Sequence, residues 1–262
     1  MGIFEVKKSD YQTIKTEGKA KDIMVIKKET FDNFNEDILG LGKIEAKSKQ
    51  ISALSVIFDL EGFTDFCKQI DPQLAVPEYL YEFLKWIFKE IKNVLTDKEY
   101  TEGYKIWSEL PFLSKYLGDG IMFLWDTENM SENNIRNVVI AMLEICCIYT
   151  EKFLPEISQS IISPPSKLRC GIARGSIYSV GNGHDFVGPC INMSARLQKL
   201  HSLSFSFSRR GINPMKFTEI SKQRFVTKKV NIQGIGEEEL VCILKDEYEA
   251  LPIEDKAKFV DA

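Results

Sequence analysis

One short apolar run constrains the fold of this chain more than any other feature. Residues 53–60 read ALSVIFDL, and a short β-branched run of this kind is typical of a strand covered on both faces. Apolar residues then recur every three or four positions from Leu80 to Leu95, which predicts an amphipathic helix that begins near Pro77. A second amphipathic helix is predicted over residues 134–153.

Strand pairs follow along the chain. Residues 112–117 and 121–125 flank Gly118-Asp119-Gly120, which is the pattern of a β-hairpin. The other predicted elements are strand pairs at 168–172 with 177–180 and at 229–232 with 240–244, a strand at 23–26, and helices at 29–41, 190–200 and 217–225. This alternation predicts an α+β fold, a mostly antiparallel sheet with helices packed on it.

Length and composition limit the classes of protein to consider. With 262 residues, 44% of them hydrophobic, the chain has enough apolar material for one substantial core. We predict an N-terminal extension over residues 1–48, one domain over residues 49–246 and a C-terminal tail over residues 247–262. The formal net charge of −4 offers no basic excess for a nucleic-acid partner. Neither a signal peptide nor a run of ~18 apolar residues is recognisable, so a cytoplasmic protein without a membrane partner is predicted.

The first candidate for chemistry is Asp59, which ends the apolar strand. A carboxylate at the end of a buried strand needs a partner, and a metal ion is one such partner. A glycine-containing turn then leads into a helix that begins near Phe63 and Thr64, whose N–H groups form a natural cradle for an anion. The alternative interpretation is that Asp59 only caps this helix.

Two further candidates lie later in the chain. Asp119 occupies the tip of the predicted hairpin, where aspartate is also common for purely conformational reasons. Asn192 and Arg196 are four residues apart and share a helix face. An amide and a permanently charged guanidinium projecting together suit a ribose and a triphosphate, although a solvated helix face is the alternative.

Taken together and in this order, these segments resemble the catalytic domain of the class III adenylate and guanylate cyclases. The resemblance covers roughly residues 50–245. The family's F-x-D-[IL]-x-G-F-T segment corresponds to Phe58–Thr64, its K-x-x-G-D-x-x-[MF] hairpin to Lys115–Met122, its G-[IV]-x-x-G segment to Gly171–Gly175, and its G-x-x-[VI]-N-x-[AS]-[AS]-R-[LM] helix to Gly188–Leu197.

The resemblance implies a ferredoxin-like α+β fold and two-metal catalysis. Asp59 and Asp119 would hold two divalent ions, Mn²⁺ or Mg²⁺, with the Leu60 carbonyl as an additional ligand. Asn192 would orient the ribose, and Arg196 would neutralise charge that develops on the phosphates. Because the family's site forms between two chains, the resemblance also implies a homodimer with composite active sites.

Two more residues, Lys115 and Asp185, match the residues that recognise the nucleotide base in the adenylate branch of the family. A lysine donor beside an aspartate acceptor complements the ring nitrogen and amino group of adenine or cytosine, and opposes the polarity of guanine and uracil. In overall similarity the chain looks like the stand-alone pyrimidine cyclases of bacterial Pycsar anti-phage defence. We therefore expect a cyclase that makes cCMP, ahead of cUMP, for a separate cyclic-nucleotide effector.

Alternatives to this function remain open. The same polarity of Lys115 and Asp185 allows an adenylate cyclase, and a catalytically inactive nucleotide-binding module is a further candidate. A diguanylate cyclase should read G-G-[DE]-E-F where this chain has Leu117–Ile121. One departure from the family is the turn at residues 232–236, which lacks the usual phosphate-binding lysine; Lys228 or Lys229 is a candidate replacement.

Overall fold

The computed structural model describes residues 7–14, 23–33, 41, 47–101, 104–107, 109–181 and 183–262. The strands, numbered in chain order, are β1 (Tyr11–Ile14), β2 (Ile23–Ile26), β3 (Gln50–Glu61), β4 (Thr96–Thr101), β5 (Tyr104–Trp107), β6 (Leu113–Leu117), β7 (Gly120–Asp126), β8 (Lys167–Val180), β9 (Asp185–Val187), β10 (Phe205–Ser208), β11 (Phe225–Ile232), β12 (Gly236–Leu244) and β13 (Phe259–Asp261). The helices are α1 (Lys28–Asp32), α2 (Phe63–Phe66), α3 (Pro72–Leu95), α4 (Glu132–Ile148), α5 (Leu154–Ile157), α6 (Pro189–Leu197), α7 (Glu219–Gln223), α8 (Lys245–Ala250) and α9 (Ile253–Lys256).

The chain divides into two compact units. The first comprises residues 1–50 and 178–187, and the second comprises residues 51–177 and 188–262. In the first unit β1 and β2 form an antiparallel pair, and β9 pairs with residues 178–180 at the end of β8. The strand predicted at 23–26 is confirmed as β2, whereas the helix predicted over 29–41 is described only as α1, since residues 34–40 lie outside the described residues.

The second unit is built on one large sheet. The order of its strands is β13-β11-β12-β10-β8-β3-β7-β6. Most neighbouring strands pair antiparallel: β3 with β7, β6 with β7, β10 with β12, and β11 with both β12 and β13. Strand β10 runs parallel to β8. The predicted fold class, α+β with a mostly antiparallel sheet, is therefore confirmed. The residues predicted as a C-terminal tail carry α9 and β13, and β13 forms the edge of the sheet beside β11.

The core of the second unit lies between the sheet and helices α3 and α4. Every residue from Ala53 to Leu60 on β3 is at most 2% exposed, as expected for a strand covered on both faces. Tyr79 of α3 and Tyr149, which follows α4, exchange a buried hydrogen bond of 2.8 Å. The Tyr149 hydroxyl also lies 2.6 Å from the carbonyl oxygen of Pro165, so the polar ends of both rings are satisfied inside the core.

Two predictions about single elements are wrong. Helix α3 begins at Pro72, not near Pro77, because Pro72 occupies the first helical position, where its fixed φ and missing N–H cost nothing. Pro77 lies inside the helix. Residues 168–172 and 177–180 are not a strand pair but parts of one continuous strand, β8. Gly175 has no positive φ, so the backbone continues extended where a turn was predicted.

The helix predicted over 134–153 is observed as α4, which begins at Glu132 and continues into a π-helical turn at Tyr149–Phe153. The hairpin around Gly118-Asp119-Gly120 is confirmed as β6 and β7. Within the described ranges, no helix has both the length and the apolar character needed to cross a membrane.

Candidate active site

The strand register brings Asp59 and Asp119 to the same place. Asp59, near the end of β3, lies opposite Gly120 of β7, and Gly120 in turn lies opposite Leu117 of β6. The hairpin tip that carries Asp119 is therefore adjacent to the end of β3. The backbones approach so closely that a Cβ on Gly120 would lie 2.6 Å from the Phe58 carbonyl oxygen, which only glycine avoids.

Helix α6 presents Asn192 and Arg196 on its exposed face. Its opposite face is buried against the sheet, where the Ser194 hydroxyl lies 2.7 Å from the hydroxyl of Ser55 on β3. A Cβ on Gly171 of β8 would lie 2.3 Å from the Ser194 carbonyl oxygen, so the helix backbone packs directly on the strand. This contact fixes the distance of α6 from the sheet and its rotation about its own axis, and these determine the direction of its polar side chains.

The four predicted polar residues Asp59, Asp119, Asn192 and Arg196 all border one cavity of about 500 Å³. Its lining residues are Ile57, Asp59, Leu117, Asp119, Gly120, Asn192, Ala195, Arg196, Gln198, Lys199, Gln233, Gly234 and Ile235. The structure thus brings together Asp59, Asp119, Asn192 and Arg196, which are distributed over residues 59 to 196 of the sequence. Their individual roles stay predictions.

Asp59 has two cationic partners that the sequence did not single out. Nε of Arg169 on β8 donates to Oδ2 at 3.1 Å, and a second guanidinium nitrogen contacts the same oxygen. Nζ of Lys199 lies 3.6 Å from Oδ1. Asp59 therefore does not cap α2, whose N-terminus has Gly62 at the cap position and no side-chain cap. The sequence pattern that could have indicated Arg169 is a charged residue between the apolar Leu168 and Cys170 on a predicted strand.

The donor set of the cavity fits a divalent metal that arrives with a polyphosphate. Among the described residues no group of three or more His, Cys, Asp or Glu side chains could form an all-protein cage. Mg²⁺ is nevertheless often held by only one or two carboxylates plus substrate phosphates, and Asp59 and Asp119 supply two. Gln198 also lines the cavity, and its side-chain Oε1 is buried without a hydrogen-bond partner.

The other predicted site residues are not among the residues that line the cavity. The Leu60 side chain is in the core, Phe63 is half-buried and Thr64 is exposed at the start of α2, a helix of four residues. Lys115 is half-buried on β6, and none of these four residues is among the lining residues. Asp185 belongs to the first unit, where its carboxylate accepts a hydrogen bond from the Phe186 N–H at 2.8 Å.

Neither candidate for the missing phosphate-binding lysine borders the cavity. Nζ of Lys228 lies 2.6 Å from Asp261 and 4.4 Å from the centre of the Tyr248 ring. Nζ of Lys229 lies 3.5 Å from Glu238. Lys199, two residues after the end of α6, does border the cavity, and its Nζ lies 3.6 Å from Asp59.

Solved structures of nucleotide cyclases have the same fold. The chain is similar to the adenylyl cyclase CyaB from P. aeruginosa, with a TM-score of 0.52 and 14% identity over 76% of this chain and 96% of that one. It is also similar to the guanylyl cyclase Cya2, with a TM-score of 0.54 and 15% identity over 76% of this chain and 94% of that one. No protein-family model and no curated protein matches the sequence. At such identities the similarity establishes the fold, which is that of class III cyclase domains.

Proposed function

We propose that this chain is a nucleotide cyclase, which closes a nucleoside triphosphate into a 3′,5′-cyclic monophosphate and releases pyrophosphate. The observation that carries the proposal is the single cavity bordered by Asp59, Asp119, Asn192 and Arg196. Two carboxylates facing an amide and a guanidinium are the groups needed to bind a metal–triphosphate and its ribose. The cyclase fold supports the same conclusion.

The charged and polar side chains that border the cavity would have different roles in the reaction. In the reaction the 3′-hydroxyl oxygen attacks the α-phosphorus and the bond to the pyrophosphate oxygen breaks, so negative charge moves toward the leaving group. Arg196 and Lys199 are the cations in a position to stabilise that charge. The Asn192 amide, on the same helix face, would hold the ribose so that its hydroxyl points at the phosphorus.

Asp59 and Asp119 would hold the divalent metals, Mn²⁺ or Mg²⁺. Bound divalent metals at such a site supply activation of a hydroxyl nucleophile and neutralisation of phosphate charge. The chain's own contribution is to place both carboxylates at adjacent strand ends, at the edge of a water-poor core that strengthens their attraction for a cation.

We further propose that the chain acts as a homodimer whose sites are shared between two copies, as the resemblance of its motifs implies. Edge strand β6 and the segment before it support an interface, because large apolar side chains are exposed there: Leu110 (49%), Phe112 (45%), Tyr116 (38%) and Leu117 (38%). Leu117 also borders the cavity. A second copy that covered this edge would lie directly against the site.

The base we favour is cytosine, followed by uracil, with adenine as the alternative. The family resemblance assigns Lys115 and Asp185 to the base, and a donor and an acceptor of these types match the amino-bearing bases cytosine and adenine. The preference for a pyrimidine, the role of its product as a second messenger in anti-phage defence and the separate effector rest on the resemblance to the Pycsar cyclases. The preference for a pyrimidine is tested by identifying the cyclic product.

Incubation of the purified chain with ATP, CTP, GTP and UTP in separate reactions with Mn²⁺, followed by mass spectrometry, tests the activity and the base together. We expect cCMP as the main product. Asp59→Asn and Asp119→Asn should each lower the rate at least about a hundredfold, because each removes a metal carboxylate. Asp126→Asn, on the exposed end of the same hairpin, is the matched control and should keep the parent rate. No cyclic product from any triphosphate would refute the proposed function.

A further inference from the structure

Both carboxylate oxygens of Asp59 already have a positively charged partner in this chain. Arg169 contacts Oδ2 through two guanidinium nitrogens, and Lys199 lies 3.6 Å from Oδ1. Asp59 is 2% exposed, the Arg169 side chain 17% and the Lys199 side chain 57%. The carboxylate is thus covered by one largely buried cation and one largely solvent-exposed cation.

This arrangement has a physical reason and a consequence. An ionised carboxylate that is almost fully buried is strongly unfavourable without a compensating charge, so the chain itself neutralises Asp59. A divalent metal on Asp59 would bind to an oxygen that already has a cationic partner and would meet two positive charges close to its position. Metal binding to Asp59 therefore competes with the present contacts of Arg169 and Lys199.

We infer that Arg169, assisted by Lys199, is an internal counter-cation that a divalent metal must displace from Asp59. The inference rests on the proposed function, because it takes Asp59 as a metal ligand. It assigns to Arg169 the role of compensating the buried charge of Asp59 while no metal is bound, at the expense of metal affinity. Glu61 is positioned to receive the displaced guanidinium, since its Oε1 already lies 3.9 Å from Nη1 of Arg169.

Direct titration of the nucleotide-free protein with Mn²⁺, followed by the electron paramagnetic resonance signal of free Mn²⁺, tests this inference without any turnover. We expect Arg169→Gln to bind Mn²⁺ about tenfold to a hundredfold more tightly than the parent, the equivalent of losing one charge-assisted hydrogen-bond partner of Asp59. Lys199→Gln should bind it a few-fold more tightly, because Lys199 is mostly exposed and screened by solvent.

Arg174→Gln is the matched control. Arg174 lies on the same strand and pairs with a carboxylate, Glu132, at 2.8 Å, but it does not border the cavity. Its Mn²⁺ affinity should equal that of the parent, and Asp59→Asn should abolish the gain when combined with Arg169→Gln. In thermal unfolding, Mn²⁺ should raise the melting temperature of Arg169→Gln more than that of the parent, since at a given concentration a ligand that binds more tightly stabilises the folded state more.

Equal or weaker Mn²⁺ binding by Arg169→Gln and Lys199→Gln would overturn the inference, and so would the absence of saturable binding in every variant. If Arg169→Gln does not fold, Lys199→Gln decides by the same criterion. Failure here is distinguishable from failure of the proposed function. Cyclic product from the parent with unchanged Mn²⁺ affinity in the variants would refute only the counter-cation, whereas tighter binding without any product would refute only the cyclase.

Discussion

Replacing Gly171 by alanine tests whether the contact between β8 and α6 positions the candidate active site. A Cβ at residue 171 would lie 2.3 Å from the Ser194 carbonyl oxygen and 2.3 Å from the Gln198 backbone nitrogen. Ordinary contact distances begin near 3.4 Å, so the helix must move away from the strand by about 1 Å. Both opposing atoms are backbone, so no side-chain rotation can relieve the clash.

The expected magnitude follows from this displacement. Overpacking a well-filled interface costs about 1–3 kcal/mol of unfolding free energy. The movement also carries Asn192 and Arg196 with the helix, and a misplacement of about 1 Å at a catalytic group costs on the order of a hundredfold in rate. We therefore expect Gly171→Ala to be moderately destabilised and to lose about a hundredfold in kcat, which is far more than its loss of stability alone would cause at a temperature where it remains folded.

The assay combines urea denaturation with the rate of cyclic-nucleotide formation well below the melting temperature. Gly175→Ala on the same strand is the control, because its Cβ would meet only the Cys190 side chain at 3.3 Å. It should cost less than about 1 kcal/mol and keep most of the activity. If Gly171→Ala matched Gly175→Ala in both stability and rate, the argument that this contact sets the position of α6 would be refuted.

Three further predictions concern assembly, base choice and pH. Mixed inactive Asp59→Ala and Arg196→Ala proteins should regain part of the activity if sites are shared between copies; no recovery despite demonstrated subunit exchange would place each site within one chain. Lys115→Glu combined with Asp185→Asn should shift turnover from CTP or ATP toward UTP or GTP by roughly tenfold to a hundredfold, each mispaired bond costing about 1–3 kcal/mol; an unchanged ranking of the four triphosphates would exclude the pair. Burial raises the pKa of the Cys190 thiol to about 11, above the roughly 8.5 of an unfolded cysteine, so its stabilising effect holds below that lower pH and is lost as pH rises toward 11. Urea denaturation between about pH 8 and pH 10.5 should therefore show a flatter decline for Cys190→Ala than for the parent, and equal slopes would contradict the assignment.

Local patterns were sufficient to predict the elements that carry the candidate residues. The buried strand over residues 53–60, the hairpin around Asp119 and the helix with Asn192 and Arg196 were all predicted and observed. Each depends on periodicity or turn chemistry that neighbouring residues determine among themselves. The same local reasoning failed at Arg174-Gly175, because a glycine permits a turn without requiring one and the sheet kept the strand extended.

Pairwise relations between distant segments could not be predicted in this way. Arg169 is 110 residues from Asp59 in the chain, and only the neighbouring positions of β3 and β8 in the sheet bring the two together. Lys199 likewise reaches Asp59 because the end of α6, two residues before it, packs its backbone against Gly171. The residues next to Asp59, Arg169 and Lys199 in the sequence do not indicate that these side chains are in contact.

The sequence by itself determined which residues end strands, occupy a hairpin tip and share a helix face, because backbone periodicity acts over a few residues. These patterns predict the fold class, and together with the family resemblance they give the list of candidate side chains. Only the tertiary structure decided that four of them border one cavity, that Lys199 rather than Lys228 or Lys229 accompanies them, and that Asp59 is neutralised by Arg169. The physical reason is that burial of a charge is decided by what packs against it, and the packing partner is chosen by strand order and helix docking, not by sequence proximity.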